Sequence, residues 1–69
     1  MATPSLRNMG VTAYTAPFVK LALKQGYYQH VIAGYLNDNQ GRVSETKNGK
    51  RYAEAPVASD LPADFPIAA

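Results

Sequence analysis

The sequence predicts a small all-α protein of three short helices, with an extended N-terminal arm and a Pro-containing C-terminal tail. Three segments carry apolar residues at helical spacing, and Gly or Asn residues stand where each segment would end. The chain has 69 residues and no cysteine, so neither disulfides nor thiolate-bound zinc can reinforce its small core. The stability that such a core lacks must come from compact helix packing, self-association or a bound partner.

The first predicted helix spans residues 16–25 and follows an arm or loop at residues 1–14. The arm mixes Thr, Pro, Ser, Asn and Gly with isolated apolar residues and has no helical or strand periodicity. Thr15 can cap the helix, and Pro17 lies in its first turn, where a missing N–H costs nothing. Gly26 supplies the left-handed residue that ends it.

The second predicted helix spans residues 28–36 and is followed by a polar turn at residues 37–39. Its apolar stripe consists of Ile32, Ala33 and Leu36. Three consecutive polar residues in the turn break the pattern, so a new helix must begin after them.

The third predicted helix spans residues 40–47. Asn39 is a good N-cap for it, and Asn48-Gly49 ends it. It buries little, mainly Val43, so packing on the other helices must hold it in place.

The tail, residues 52–69, contains three prolines, which exclude a long helix and predict an extended chain. It is nevertheless richer in apolar residues than a disordered tail usually is. The tail therefore either wraps over the core or mediates dimerisation. These apolar residues are Val57, Leu61, Phe65 and Ile67.

Composition argues against an enzyme, a cofactor or a metal site. One histidine and five carboxylates leave little material for a catalytic constellation. His30 has no Cys, Asp or Glu at ligand spacing, so we expect an exposed residue on the helix surface. No apolar run approaches the ~20 residues that span a bilayer, and residues 1–10 lack the features of a signal peptide. We therefore expect a cytoplasmic protein with no membrane partner.

The charge of the chain is unevenly distributed. Seven bases against two acids give residues 1–51 a net charge of +5, whereas residues 52–69 carry three acids and no base. A basic body with an acidic tail is consistent with a polyanionic partner. Solubility alone explains such an imbalance equally well.

Residues 29–48 fit the pattern of a helix-turn-helix, two short helices joined by a three-residue turn. The small Ala33 lets the two helices approach closely. Asn37 occupies the turn position usually given to glycine, and asparagine tolerates the left-handed backbone that is needed there. Val43 anchors the second helix of the motif. We therefore take residues 15–51 as a DNA-binding domain.

This segment resembles the helix-turn-helix of lambda-repressor and Cro-like regulators of bacterial plasmids and phages. In that family one glutamine opens the first motif helix and braces the DNA backbone and a second glutamine. The second glutamine opens the recognition helix and pairs with adenine. Gln29 and Gln40 stand at the family's spacing. The resemblance implies a sequence-specific regulator of transcription, a repressor that occupies promoter operators as a homodimer on palindromic half-sites of double-stranded DNA.

Three positions depart from the family pattern. Asp38 replaces an apolar turn residue, Thr46 replaces an apolar residue late in the recognition helix, and Tyr28 stands where Ser or Thr usually caps. These departures predict a weaker hydrophobic contact between the two motif helices.

The candidate DNA contacts lie at the start of the second helix, along the third helix and just after it. Gln40 is expected to pair with adenine, and Arg42 with guanine or with a phosphate. Gly41 either lets the backbone approach DNA or is a tolerated first-turn glycine. The complete set is Gln29, Asn39, Gln40, Gly41, Arg42, Ser44, Lys47, Lys50 and Arg51.

Other charged and aromatic residues are given structural roles. Glu45 is expected to form an ion pair with Arg42 rather than to contact cytosine. Lys47 also suits the helix dipole, although three bases within residues 47–51 favour phosphate contact. Arg7 could enter a minor groove from the arm, or could simply be solvated. The five tyrosines are expected to pack in the core or an interface rather than to stack on bases.

Two alternatives to a sequence-specific regulator remain open at this point. One is a protein-interaction module, an adaptor or a phage or plasmid inhibitor, in which the acidic, apolar tail makes the contact. The other is an architectural DNA binder without sequence preference. Salt dependence separates DNA binding from an apolar protein interface.

Overall fold

A computed structural model describes residues 3–67, which form three α-helices and, over that range, no β-strand. Helix α1 spans Ala16–Lys24, α2 spans Gln29–Leu36 and α3 spans Gln40–Lys47. The predicted all-α class is confirmed. The helices lie where the sequence predicts them, except that α1 ends one residue earlier and α2 begins one residue later.

The helix ends depend on the residues that the sequence singles out. Gly26 and Asn37 both adopt the left-handed backbone, with φ of +94° and +55°. The Asn39 side chain caps α3 by accepting a hydrogen bond from the Gly41 N–H at 2.7 Å. The turn at residues 37–39 therefore joins two helices that pack on each other, an arrangement compatible with a helix-turn-helix.

The predicted capping role of Thr15 is wrong. Thr15 precedes α1, but its backbone is already helical and its side chain makes no capping bond. Its hydroxyl instead donates to the Gly10 carbonyl at 2.7 Å and accepts from the Thr12 N–H at 2.8 Å. Thr15 is fully buried, and its side chain binds the preceding segment to α1.

A single hydrophobic core joins the helices to both flanking segments. The buried residues of α3 are Val43, as predicted, and Thr46. The first segment is not a separate arm, because Leu6 and Val11 belong to the core. The core residues are Leu6, Val11, Val19, Ala22, Ile32, Ala33, Tyr35, Leu36, Val43 and Phe65.

The N-terminal segment is attached to the end of α2 by its backbone. The N–H of Asn8 donates to the Tyr35 carbonyl at 3.0 Å, and that of Gly10 donates to the Leu36 carbonyl at 2.8 Å. Gly10 has φ of +74°, and a Cβ there would lie 3.1 Å from the Asp38 carboxylate. This segment therefore lies directly beside the turn that precedes α3.

The Tyr35 hydroxyl connects both flanking segments to α2. It accepts a hydrogen bond from the Leu6 N–H at 2.9 Å and donates one to the Asp64 carboxylate at 2.7 Å. Asp64 also accepts from the Ser5 hydroxyl and pairs with the Arg7 guanidinium at 3.4 Å. These contacts correct the picture of Arg7 on an extended arm, because its side chain is held against the tail.

The C-terminal tail wraps over the core, the first of the two alternatives that the sequence allowed. Phe65 packs against the rings of Tyr27 and Tyr35, with centroid distances of 5.0 and 4.6 Å. The Tyr27 hydroxyl donates to the Pro66 carbonyl at 2.6 Å. Val57 and Ile67 remain exposed.

Lys20 holds the beginning of the tail against α1. Its ammonium group donates hydrogen bonds to three backbone carbonyls at the start of the tail. These are the carbonyls of Tyr52, Ala53 and Ala55, at 2.7, 3.3 and 2.8 Å. This arrangement uses one of the seven basic side chains for folding rather than for a partner.

We expect Lys20→Met to lower the free energy of unfolding by about 1–2 kcal/mol, because three carbonyls lose a charged donor while the apolar stem is kept. Urea unfolding measures the effect, and limited proteolysis should cut the variant faster near residues 52–55. The matched control is Lys24→Met, which removes an exposed base from the same helix. Equal stabilities of the two variants would contradict the role of Lys20.

Gly34 lies exposed in the middle of α2, and a Cβ there would meet nothing within 4 Å from other parts of the chain. We expect Gly34→Ala to raise the free energy of unfolding by about 0.5–1 kcal/mol, because alanine loses less backbone entropy in a helix. Gly10→Ala is the matched control and should destabilise, since its φ is positive. Urea unfolding of both variants checks the two signs.

Candidate nucleic-acid interface

Helix α3 has one buried and one exposed face. Val43 is fully buried and Thr46 nearly so, and the Thr46 hydroxyl donates to the Arg42 carbonyl at 2.9 Å. Gln40 and Arg42 are exposed in the first turn. The core therefore fixes the orientation of α3 and leaves its polar first turn accessible.

Gly41 has a structural reason that neither sequence interpretation supplied. A Cβ at this position would lie 3.0 Å from the Asn39 side-chain oxygen, the atom that caps the helix. The cap occupies the space that a larger residue would need. The absent side chain also leaves the first turn of α3 open to solvent.

Asp38 replaces the apolar turn residue with a polar anchor. Its carboxylate accepts hydrogen bonds from the Val11 N–H at 2.8 Å and from the Asn39 N–H at 2.6 Å. These two bonds, and then the nearby Arg42 guanidinium, hold the pKa of the Asp38 carboxyl below its ordinary value. An ionised Asp38 thus fixes the N-terminal segment to the start of α3.

The ion pairs around α3 differ from the predicted one. Arg42 Nε lies 3.4 Å from the Asp38 carboxylate, and Glu45 pairs instead with Arg51 Nε at 2.9 Å. The expected Glu45–Arg42 pair is therefore wrong. The chain turns back after α3, with the Lys50 N–H donating to the Glu45 carbonyl at 2.9 Å, and this turn brings Arg51 to Glu45.

Four of the predicted site residues line one open depression of about 320 Å³ beside the first turn of α3. Two arginines, Arg42 and Arg51, are among its lining residues. Glu45, expected only to form an ion pair on the helix surface, lines it as well. The lining residues are Asn39, Gly41, Arg42, Glu45 and Arg51.

The other predicted site residues lie outside this depression. Gln40 and Ser44 are on α3, and Lys47 and Lys50 are exposed and form no ion pair within residues 3–67. Gln29 is half-buried at the start of α2 and makes no hydrogen bond to Gln40 in the described chain. The brace between two glutamines that the family resemblance implies is therefore absent from the free protein.

His30 lies on the surface as predicted, but only some of the tyrosines pack on the core. His30 is exposed on α2 and stacks on the Tyr28 ring at 5.7 Å. Tyr27 and Tyr35 pack around Phe65, whereas Tyr14 and Tyr28 remain exposed. Over residues 3–67, no cluster of three metal-ligating side chains is formed.

Asp38 is the residue beside the candidate site whose contacts the sequence does not predict. Its signal was its place immediately before the N-cap, where a short carboxylate can accept backbone N–H bonds.

In the range that the structure describes, no helix is long and apolar enough to cross a bilayer. Comparisons of the chain with known protein families, with characterised proteins and with solved structures find no match.

Proposed function

We propose that the protein is a sequence-specific regulator of transcription in the bacterial cytoplasm, bound to nucleoid or plasmid DNA. It acts as a repressor that occupies a promoter operator and places α3 in the major groove. One observation carries the proposal: Val43 and Thr46 fix α3 on the core, while Gln40 and Arg42 are exposed in its first turn. Major-groove readout needs a helix held in this way, with its N-terminal side chains directed at base edges.

The dimensions of α3 are suitable for this role. An α-helix with side chains is about 10–12 Å wide, and the major groove is about 12 Å wide. Gln40 can donate to N7 and accept from N6 of adenine, which distinguishes adenine from the other bases. Lys47 and Lys50, exposed and free of ion pairs in the described chain, can contact phosphates on either side of the groove.

A dimer is part of the proposal, because one small unit buries too little surface on DNA for tight binding. The Cα atoms of one chain extend over 30 × 22 × 21 Å. Half-sites read from one side of the duplex lie about 34 Å apart. Two copies of this size can therefore occupy adjacent half-sites and remain close enough to touch.

The test begins with selection of bound sequences from a random pool of double-stranded DNA. Gel-shift titration of the selected site then compares the wild type with three variants. We expect Gln40→Ala to lose its preference at one base pair, with a penalty of about 1–3 kcal/mol for the correct base. Lys50→Ala should weaken binding to all sequences and reduce the salt slope by about 1.

Lys24→Ala is the matched control, because it removes an exposed base from α1, outside the proposed interface. It should leave the base preference unchanged. Selection that returns no sequence, or a Gln40→Ala variant with the wild-type preference, would contradict the proposed readout.

The same titrations distinguish the two alternative functions. Steep salt dependence with no preferred sequence would identify an architectural DNA binder. The observation that favours a protein-interaction module is the exposure of Val57 and Ile67 on the tail. Such a module would bind no DNA at physiological salt.

A further inference from the structure

The side chain of Arg42 lies beside a carboxylate that is itself fixed to the backbone. Asp38 accepts from two N–H groups, those of Val11 and Asn39, so its position follows that of the main chain. One of its oxygens lies 3.4 Å from Arg42 Nε. A surface ion pair usually loses energy by ordering two flexible side chains, but here one of the two is already ordered.

This contact leaves the two terminal nitrogens of the guanidinium free. Neither terminal nitrogen of Arg42 makes a hydrogen bond to any part of the described chain, and the side chain is about half exposed, at 48%. The Nε side of the guanidinium faces the Asp38 carboxylate in an ion pair, and the two terminal nitrogens are left without a partner in the described chain. They are therefore available for two parallel hydrogen bonds.

There is room beside this group for the edge of a base. Arg42 lines the depression of about 320 Å³, and Gly41 next to it carries no side chain that would fill the space. In the major groove only guanine offers two adjacent acceptors, O6 and N7. Adenine presents a donor where guanine has O6, so a fixed guanidinium would meet an N–H there.

Resting on the proposed function, we infer that Arg42 pairs with one guanine of the operator and that Asp38 is the positioning residue that orients it. Arg51 has a different role. Its Nε is held at 2.9 Å by Glu45, a side chain that is 41% exposed and is not fixed by backbone bonds. Arg51 follows α3 rather than lying on it, and it contacts a phosphate.

The experiment repeats the selection of bound DNA with Arg42→Ala, Arg42→Lys, Arg51→Ala and Asp38→Asn. Arg42→Ala should lose the preference for guanine at one position, with an affinity loss of roughly 5- to 150-fold on the guanine site. Arg42→Lys keeps the charge but not the fork, so it should recover overall affinity without recovering the discrimination. Arg51→Ala should weaken binding to all DNA sequences equally.

A modified base tests the contact atom directly. Replacing the assigned guanine by 7-deazaguanine removes the N7 acceptor and should weaken wild-type binding several-fold. The same replacement should have no effect on Arg42→Ala. A wild type that is insensitive to 7-deazaguanine at every guanine of the site would overturn the assignment.

Asp38→Asn tests the positioning role. It should lower the preference for guanine at the same position while the preference at the Gln40 position is kept. Tyr35→Phe is the control, because it loosens the N-terminal segment without touching Arg42 and should leave both preferences unchanged. If Tyr35→Phe reproduces the effect, Asp38 acts only through folding and the positioning role is refuted.

These outcomes separate the inference from the proposed function. If the wild type selects a DNA sequence and Arg42→Ala weakens binding to all sequences equally, the guanine contact is wrong, but the proposed function as a sequence-specific regulator still stands. If the wild type selects no sequence, both are wrong.

Discussion

Replacing Tyr35 with phenylalanine should lower the free energy of unfolding by about 2 kcal/mol, although the change removes a single oxygen. The Leu6 N–H, which donates to that oxygen at 2.9 Å, is left without a partner in a buried position. The Asp64 carboxylate loses a donor at 2.7 Å as well. An unpaired buried N–H costs about 1–3 kcal/mol, and the loss of the carboxylate contact adds to it.

Urea unfolding of Tyr35→Phe checks the size of this effect, and amide hydrogen exchange at Leu6 checks its location. The matched control is Tyr27→Phe, which removes a hydroxyl that makes one hydrogen bond, to the Pro66 carbonyl. That variant should lose at most about 1 kcal/mol. If both variants are equally stable, the Tyr35 hydroxyl is not the connection that the structure indicates.

Asp38→Ala should destabilise the protein by about 2–3 kcal/mol. The variant removes the acceptor for the Val11 N–H, which belongs to a residue that is 5% exposed, and for the Asn39 N–H at the start of α3. Hydrogen bonds to a charged acceptor contribute about 1.5–3 kcal/mol. The control is Asp60→Ala, which removes an exposed tail acid with no hydrogen bond in the described chain and should change stability by less than about 0.5 kcal/mol.

The contribution of Asp38 should also depend on pH. The two backbone hydrogen bonds lower its pKa in the folded state from the ordinary 3.8, so the unfolded chain binds the proton more readily. The stabilisation is therefore complete above the unfolded pKa and is lost as the pH falls through the lower, folded pKa. Urea unfolding between about pH 6 and pH 2 should show a smaller acid loss for Asp38→Ala than for the wild type. If the wild type and Asp38→Ala lost stability in parallel as the pH falls, the stabilising role of the Asp38 carboxylate would be contradicted.

The sequence was informative where the structure depends on neighbouring residues. Helix bounds follow from apolar spacing, and the ends follow from Gly26, Asn37 and Asn39, whose conformations are local properties. Val43 is predictable as the anchor of α3 because helical spacing places it on the inner face.

The contacts that could not be predicted join residues far apart in the chain. Ser5 and Asp64 are 59 positions apart, and Lys20 reaches a carbonyl 32 positions away. No periodicity in either segment indicates that they meet. The sequence therefore predicts Arg7 on an arm, although the Arg7 guanidinium lies over the Tyr35 ring, 5.0 Å from its centroid.

The candidate site shows the same division. Exposure of Gln40 and Arg42 follows from helical spacing, whereas the partner of each arginine does not. The pattern of the resembling family has an apolar residue at position 38. The carboxylate there therefore predicts a weaker hydrophobic contact between the two motif helices. Its partner, the Val11 N–H, lies 27 positions earlier and could be found only in three dimensions.

The contact between Ser5 and Asp64 makes the fold almost circular. Ser5 and Asp64 meet beside the Tyr35 hydroxyl, and Phe65 and Pro66 of the tail still pack on the core. The N-terminal segment and the tail could therefore be joined by a linker, and the closed chain could be reopened in the exposed loop at Ala53 and Glu54 with the core contacts retained. In such a permuted chain α3 would be the last helix before the new C-terminus, and a domain fused there would follow the loop after α3.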